Sequence, residues 1–71
     1  MRIRLDRAAD AAYVYLTRRA ARRGVAFTYA RDPREVNGQI NLDFDEEGRL
    51  IGIEVLDASR LLPEDAIRRA E

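Results

Sequence analysis

The 71-residue sequence contains no cysteine, no histidine and no tryptophan, and only four glycines and two prolines. Without Cys there is no disulfide framework, no thiol nucleophile and no Cys-ligated zinc or iron–sulfur site. Without His there is no imidazole base and no His-ligated metal or haem. No apolar run approaches the roughly 18 residues that span a bilayer. The start, Met1-Arg2-Ile3-Arg4-Leu5-Asp6, alternates charged and apolar residues and has no signal-peptide core. The expectation is a soluble cytoplasmic protein. Charge of one sign is also lacking: 13 basic residues balance 13 acidic ones, which argues against a protein whose main task is coating nucleic acid.

What is present is a hydrophobic fraction of 46% and a high charged fraction of 37%. Every basic residue is Arg, since the sequence has no Lys. Arg and Ala are abundant together, as a codon bias would make them, so the Arg enrichment is not by itself a binding signal. The length allows one domain, residues 1–71. A domain this small generally needs disulfides, a metal, oligomerisation or very regular packing. The first is absent and the second poorly provided for, so self-association is expected.

Period-2 alternation dominates the pattern and predicts strands. They fall at about 2–5, 11–17, 25–30, 39–44 and 49–56. The second contains Tyr13-Val14-Tyr15, which suits a strand, although its alanines leave a helix over residues 8–16 as the rival. In the third, Val25, Phe27 and Tyr29 share a face, and Asp32-Pro33 ends it.

Gln39 to Phe44 and Arg49 to Leu56 read as a hairpin around Asp45-Glu46-Glu47-Gly48. A three-residue loop would put Phe44 opposite Leu50 and make Ile40 and Leu42 share a face with Gly52 and Glu54. A four-residue loop puts Phe44 opposite Arg49, Leu42 opposite Ile51 and Ile40 opposite Ile53, and gathers Ile40, Leu42, Phe44, Ile51, Ile53 and Val55 on one face. The second choice keeps the apolar set together, with Gly48 at a left-handed position. Asp57 to Leu62 reads as a bend or a single helical turn, and residues 63–70 as a short helix with Pro63 at its first position. Acid lies in its first turn and Arg in its last, with Glu64–Arg68 and Asp65–Arg69 as i,i+4 pairs. Eight residues make no stable helix alone, so it should dock through Leu62, Ala66, Ile67 and Ala70.

The string from Asn41 to Ser59, Asn41-Leu42-Asp43-Phe44-Asp45-Glu46-Glu47-Gly48-Arg49-Leu50-Ile51-Gly52-Ile53-Glu54-Val55-Leu56-Asp57-Ala58-Ser59, resembles the small bacterial proteins of the domain of unknown function 2283 family. Ala9-Asp10-Ala11 followed by Tyr13 and Leu16 matches it as well. The likeness covers about Ile3 to Leu62, with longer segments here at 18–24 and 31–38. It implies a compact, mostly β domain in a bacterial cytoplasm, with Asp43, Asp45, Gly48 and Gly52 as its turn and structural signature. It implies no assigned activity.

Four sets of residues invite a chemical reading. Asp43, Asp45, Glu47, Gly48 and Glu54 approach the spacing of an EF-hand calcium loop, but both flanks alternate as strands, so a hairpin turn is the better account. Arg18, Arg19, Arg22 and Arg23 form the one concentrated cationic cluster. It suits phosphate contact beside the stacking surfaces of Tyr13, Tyr15 and Tyr29, or a solvated connection. Asp6 and Asp10 would make an acid–base pair only if folded together; turn closure is the commoner role. Ser59 is expected to cap the bend before Leu61.

The sequence therefore predicts an α+β domain, an antiparallel β-meander of four to five strands with a short C-terminal helix. No acid–base–nucleophile set is recognisable, and neither an enzyme nor a cofactor is expected. A sheet with one short helix leaves apolar surface and edges uncovered, which favours a homodimer or higher oligomer. The leading function is a non-catalytic homo-oligomeric protein-interaction module with an unidentified protein partner. The alternatives are a nucleic-acid-associated regulator or antitoxin-like partner using Arg18–Arg23 and, as a minor one, calcium binding at Asp43–Glu54.

Overall fold

The computed structural model describes residues 2–18, 24–30 and 38–71. Strands β1 (Arg2–Asp6) and β2 (Ala11–Tyr15) form a first hairpin, and β3 (Phe27–Ala30), β4 (Ile40–Phe44) and β5 (Leu50–Leu56) follow, then helices α1 (Ala58–Leu61) and α2 (Glu64–Arg69). The α+β class, the antiparallel sheet and the C-terminal helix are as the sequence predicts. Residues 11–15 are strand, not helix: the β-branched and aromatic Tyr13-Val14-Tyr15 outweighs the alanines. The helix begins after Pro63, which stands at its cap position rather than at its first turn.

The strand order is β1-β2-β5-β4-β3, not that of a simple meander. The C-terminal strand β5 lies at the centre, paired with β2 on one side and β4 on the other. Its sequence accounts for this. The strand is the longest among the described residues, at seven, with Ile51, Ile53 and Val55 alternating along it, and a central place gives its backbone groups partners on both sides.

The β4–β5 hairpin corrects the four-residue loop. Asp45 N–H donates to Arg49 O at 2.9 Å, Gly48 N–H donates to Asp45 O at 3.0 Å, and Gly48 takes φ 78. The loop is therefore Glu46-Glu47-Gly48, a turn closed by a left-handed glycine, and Phe44 pairs with Leu50. A β-bulge follows at once, since Asp43 pairs with Gly52 and leaves Ile51 as the inserted residue. One extra residue reverses the facing of everything beyond it. Leu42 then meets Ile53, and Ile40 meets Val55. The apolar set stays on one face, through a bulge instead of a longer loop.

That face carries Ile3, Leu5, Ala12, Ile53 and Val55, and the helices cover it there. Ala12, Val55 and Ala58 are buried together, with Ile3, Leu5, Ile53, Leu61, Leu62 and Ile67 packed around them. The helices are anchored by a distant turn. Asp10, at φ 52 in the β1–β2 turn, accepts the Ala58 N–H at its carbonyl (2.9 Å) and the Ser59 N–H and hydroxyl at its carboxylate (2.9 and 2.8 Å). Ser59 is thus not the cap of its own bend; Asp10 caps it from 49 residues away.

Candidate functional site

The two faces of the sheet differ in kind. The face away from the helices carries a polar and aromatic row. Thr28, Asp43, Gly52 and Tyr15 lie opposite one another in successive strands, and so do Asn41, Glu54, Tyr13 and Arg4. The Tyr13 side chain leaves its own row and crosses β5, and its hydroxyl donates to Asp43 Oδ2 at 2.6 Å. Thr28 donates to Asp43 Oδ1, also at 2.6 Å. Asn41 donates to Glu54 Oε1 at 2.8 Å and accepts from Gln39 at 3.1 Å. The Tyr13 and Tyr15 rings meet edge to face at 4.7 Å, and the Arg2 guanidinium lies over the Tyr15 ring at 4.6 Å.

Burial pushes the Tyr13 phenol well above its ordinary value, and the hydrogen bond and charge of Asp43 push it the same way. A phenol held neutral is a donor, not a base. It offers Asp43 a charge-assisted bond and ties β2 to β4 across β5. A Cβ at position 52 would overlap the Tyr13 hydroxyl, which is why a glycine sits in the middle of the central strand.

Each residue singled out from the sequence has a place. Asp45 is buried and its Oδ1 accepts the N–H groups of Glu47 and Arg49, both at 2.9 Å. Gly48 supplies the left-handed position and Gly52 the space for Tyr13. Asp43 and Asp45 do not converge on a common point: one holds Tyr13 and Thr28, the other closes the turn. Strands flank the loop on both sides, unlike the helices of an EF-hand. Asp6 accepts the Ala9 N–H at 3.2 Å and closes a turn, while Asp10 is committed to α1. Arg18 is exposed; Arg19, Arg22 and Arg23 lie outside the described residues.

The apolar face is the more telling surface. Its β1–β2–β5 half lies beneath the helices, while its β4–β3 half does not. Phe27 and Tyr29 on β3 are 52% and 56% exposed, and Val25, two residues before Phe27, is exposed as well. The Phe27 ring stacks on Phe44 at 4.9 Å. The alternation of Val25, Phe27 and Tyr29 was legible in the sequence; that neither α1 nor α2 covers them was not. The Tyr13–Asp43 bond was missed altogether, although a glycine within an alternating strand is a signal of close approach. Among the described residues, no group of three or more Asp and Glu side chains is placed to hold a metal ion, and no helix is long and apolar enough to cross a membrane.

A protein-family model described as "Protein of unknown function (DUF2283)" matches residues 2–59. No curated protein and no solved structure matches significantly.

Proposed function

The chain belongs to the domain of unknown function 2283 family, and from that premise we propose that it is a non-catalytic homo-oligomeric protein-interaction module. The observation that carries this is the half of the apolar face that α1 and α2 leave uncovered, where Phe27 and Tyr29 stand more than half exposed on an edge strand among the described residues. Large aromatic side chains gathered on one face and left to water favour association. The core points the same way. Among the described residues, the buried hydrophobic ones are Ala12, Ile51, Val55 and Ala58, and no large side chain is fully buried. That is little apolar burial for an 8.1 kDa chain without disulfides.

Catalysis is not proposed, because the carboxylates at the centre of the polar face are engaged. Asp43 is bonded to Tyr13 and Thr28, and Glu54 to Asn41. Size-exclusion chromatography with light scattering at micromolar concentration tests the proposal. A mass of at least twice 8.1 kDa is expected, and a stable monomer overturns it.

A further inference from the structure

The two edges of the sheet are finished differently. At the β1 edge, Leu5 N–H donates to Glu71 O at 3.0 Å and Glu71 N–H donates to Ile3 O at 2.8 Å. The Glu71 side chain pairs with Arg2 at 3.2 Å, and Arg2, Arg4 and Asp6 are exposed charges along the strand. Both devices, a covering segment and charge, protect an edge from other strands. Strand β3 has neither among the described residues. Its four residues, Phe27-Thr28-Tyr29-Ala30, are uncharged and all exposed. On β4, Gln39 O accepts from Leu56 N–H and Asp45 N–H donates to Arg49 O, so residues 39, 41, 43 and 45 turn their backbone groups to β5, and Leu42 and Phe44 turn theirs to β3. Their partners Tyr29 and Phe27 therefore face β4, and Thr28 and Ala30 turn their N–H and C=O groups outward.

We infer that β3 pairs with β3 of a second copy, antiparallel about a twofold axis through Thr28, to make one sheet continuous across the dimer. This rests on the homo-oligomeric reading above and assigns its surface. In an antiparallel pair, directly opposite side chains share a face, so a strand paired with itself must be centred on a residue. Centring on Thr28 sets Phe27 of each copy against Tyr29 of the other. Thr28 carries the outward backbone groups on the axis, so its N–H meets the Thr28 C=O of the other copy, in both directions, and Phe27 and Tyr29 form the closer, non-hydrogen-bonded type of pair. Phe–Tyr pairs form on the apolar face and extend the Phe27–Phe44 stack across the axis. A charged strand paired with itself would set like charges close together; β3 carries none.

Closure supports a second copy as the occupant. A β3–β3 contact uses the same surface twice and ends at two chains, whereas a β3–β1 contact would repeat without end, and Glu71 already occupies β1.

A cysteine placed on the axis tests this in a chain that has none of its own. Opposed Thr28 residues form the hydrogen-bonded type of pair, with Cα atoms about 5.5 Å apart, within the range a disulfide spans. Thr28→Cys should cross-link rapidly to a covalent dimer on mild oxidation, while Glu64→Cys on α2 should not. Thr28→Pro, which removes the outward N–H on the axis, should give a monomer with the circular dichroism of the wild type. A dimeric wild type in which Thr28→Cys fails to cross-link and Thr28→Pro stays dimeric overturns the β3 pairing and leaves the homo-oligomeric reading standing. A wild type that is monomeric by light scattering overturns both.

Discussion

Tyr13 occupies the space that a side chain at Gly52 would need. Tyr13 stands on β2 and Gly52 in the middle of β5, and the absence of a side chain there lets the phenol cross the central strand to Asp43 on β4. The aromatic ring covers the backbone that the glycine leaves bare, so the cost of glycine in a strand is partly offset.

Gly52→Ala should therefore displace Tyr13 and destabilise the fold by about 1–3 kcal/mol. In a Tyr13→Ala background the same substitution should cost much less. A double-mutant cycle from urea unfolding measures the coupling; additive effects would show that the two residues do not share the space.

Tyr13 also predicts a pH dependence. Burial, then the bond to and charge of Asp43, raise its phenol above the ordinary value of 10.0. The folded-state pKa lies above the unfolded one, so the contribution is complete below about pH 10 and is lost as pH rises through the folded value. Stability should fall from about pH 10 upward, and Tyr13→Phe should flatten that decline while lowering stability at neutral pH by about 1–3 kcal/mol. Urea midpoints across the alkaline range check both.

Asp10 does two things at once: it holds a left-handed backbone and caps α1. Asp10→Ala should cost about 2–3 kcal/mol, the sum of a lost cap and a strained φ. Asp10→Asn tolerates the backbone and keeps an acceptor, and should cost about 1 kcal/mol or less. Equal losses in thermal unfolding would mean that the cap is unimportant.

At the hairpin, a Cβ on Gly48 would meet nothing within 4 Å, yet its φ is 78. Gly48→Ala should cost about 1–2 kcal/mol from backbone strain alone, and Gly48→Asn distinctly less. Because Asp45 is spent on the turn and Asp43 on Tyr13, millimolar Ca²⁺ should leave the melting temperature and the amide NMR spectrum unchanged; saturable shifts at Asp43, Asp45 and Glu47 would restore the calcium alternative.

The alternating runs made the strands, the antiparallel class and the apolar face legible, because alternation is local and a strand displays it directly. Gly48 was readable as a left-handed turn residue for the same reason. The loop length was not: two rules competed, and the bulge at Ile51 satisfied both by adding a residue that local patterning does not reveal.

The sequence by itself determined which residues face together and which chemistry is absent, since side-chain type and period are properties of the chain. Tertiary structure alone decided that β5 is central, that Tyr13 reaches Asp43, that Asp10 caps a helix 49 residues away, and that the helices cover only one half of the apolar face. Those depend on which segments meet in space, and pairings between distant strands leave no mark in the local pattern of either one.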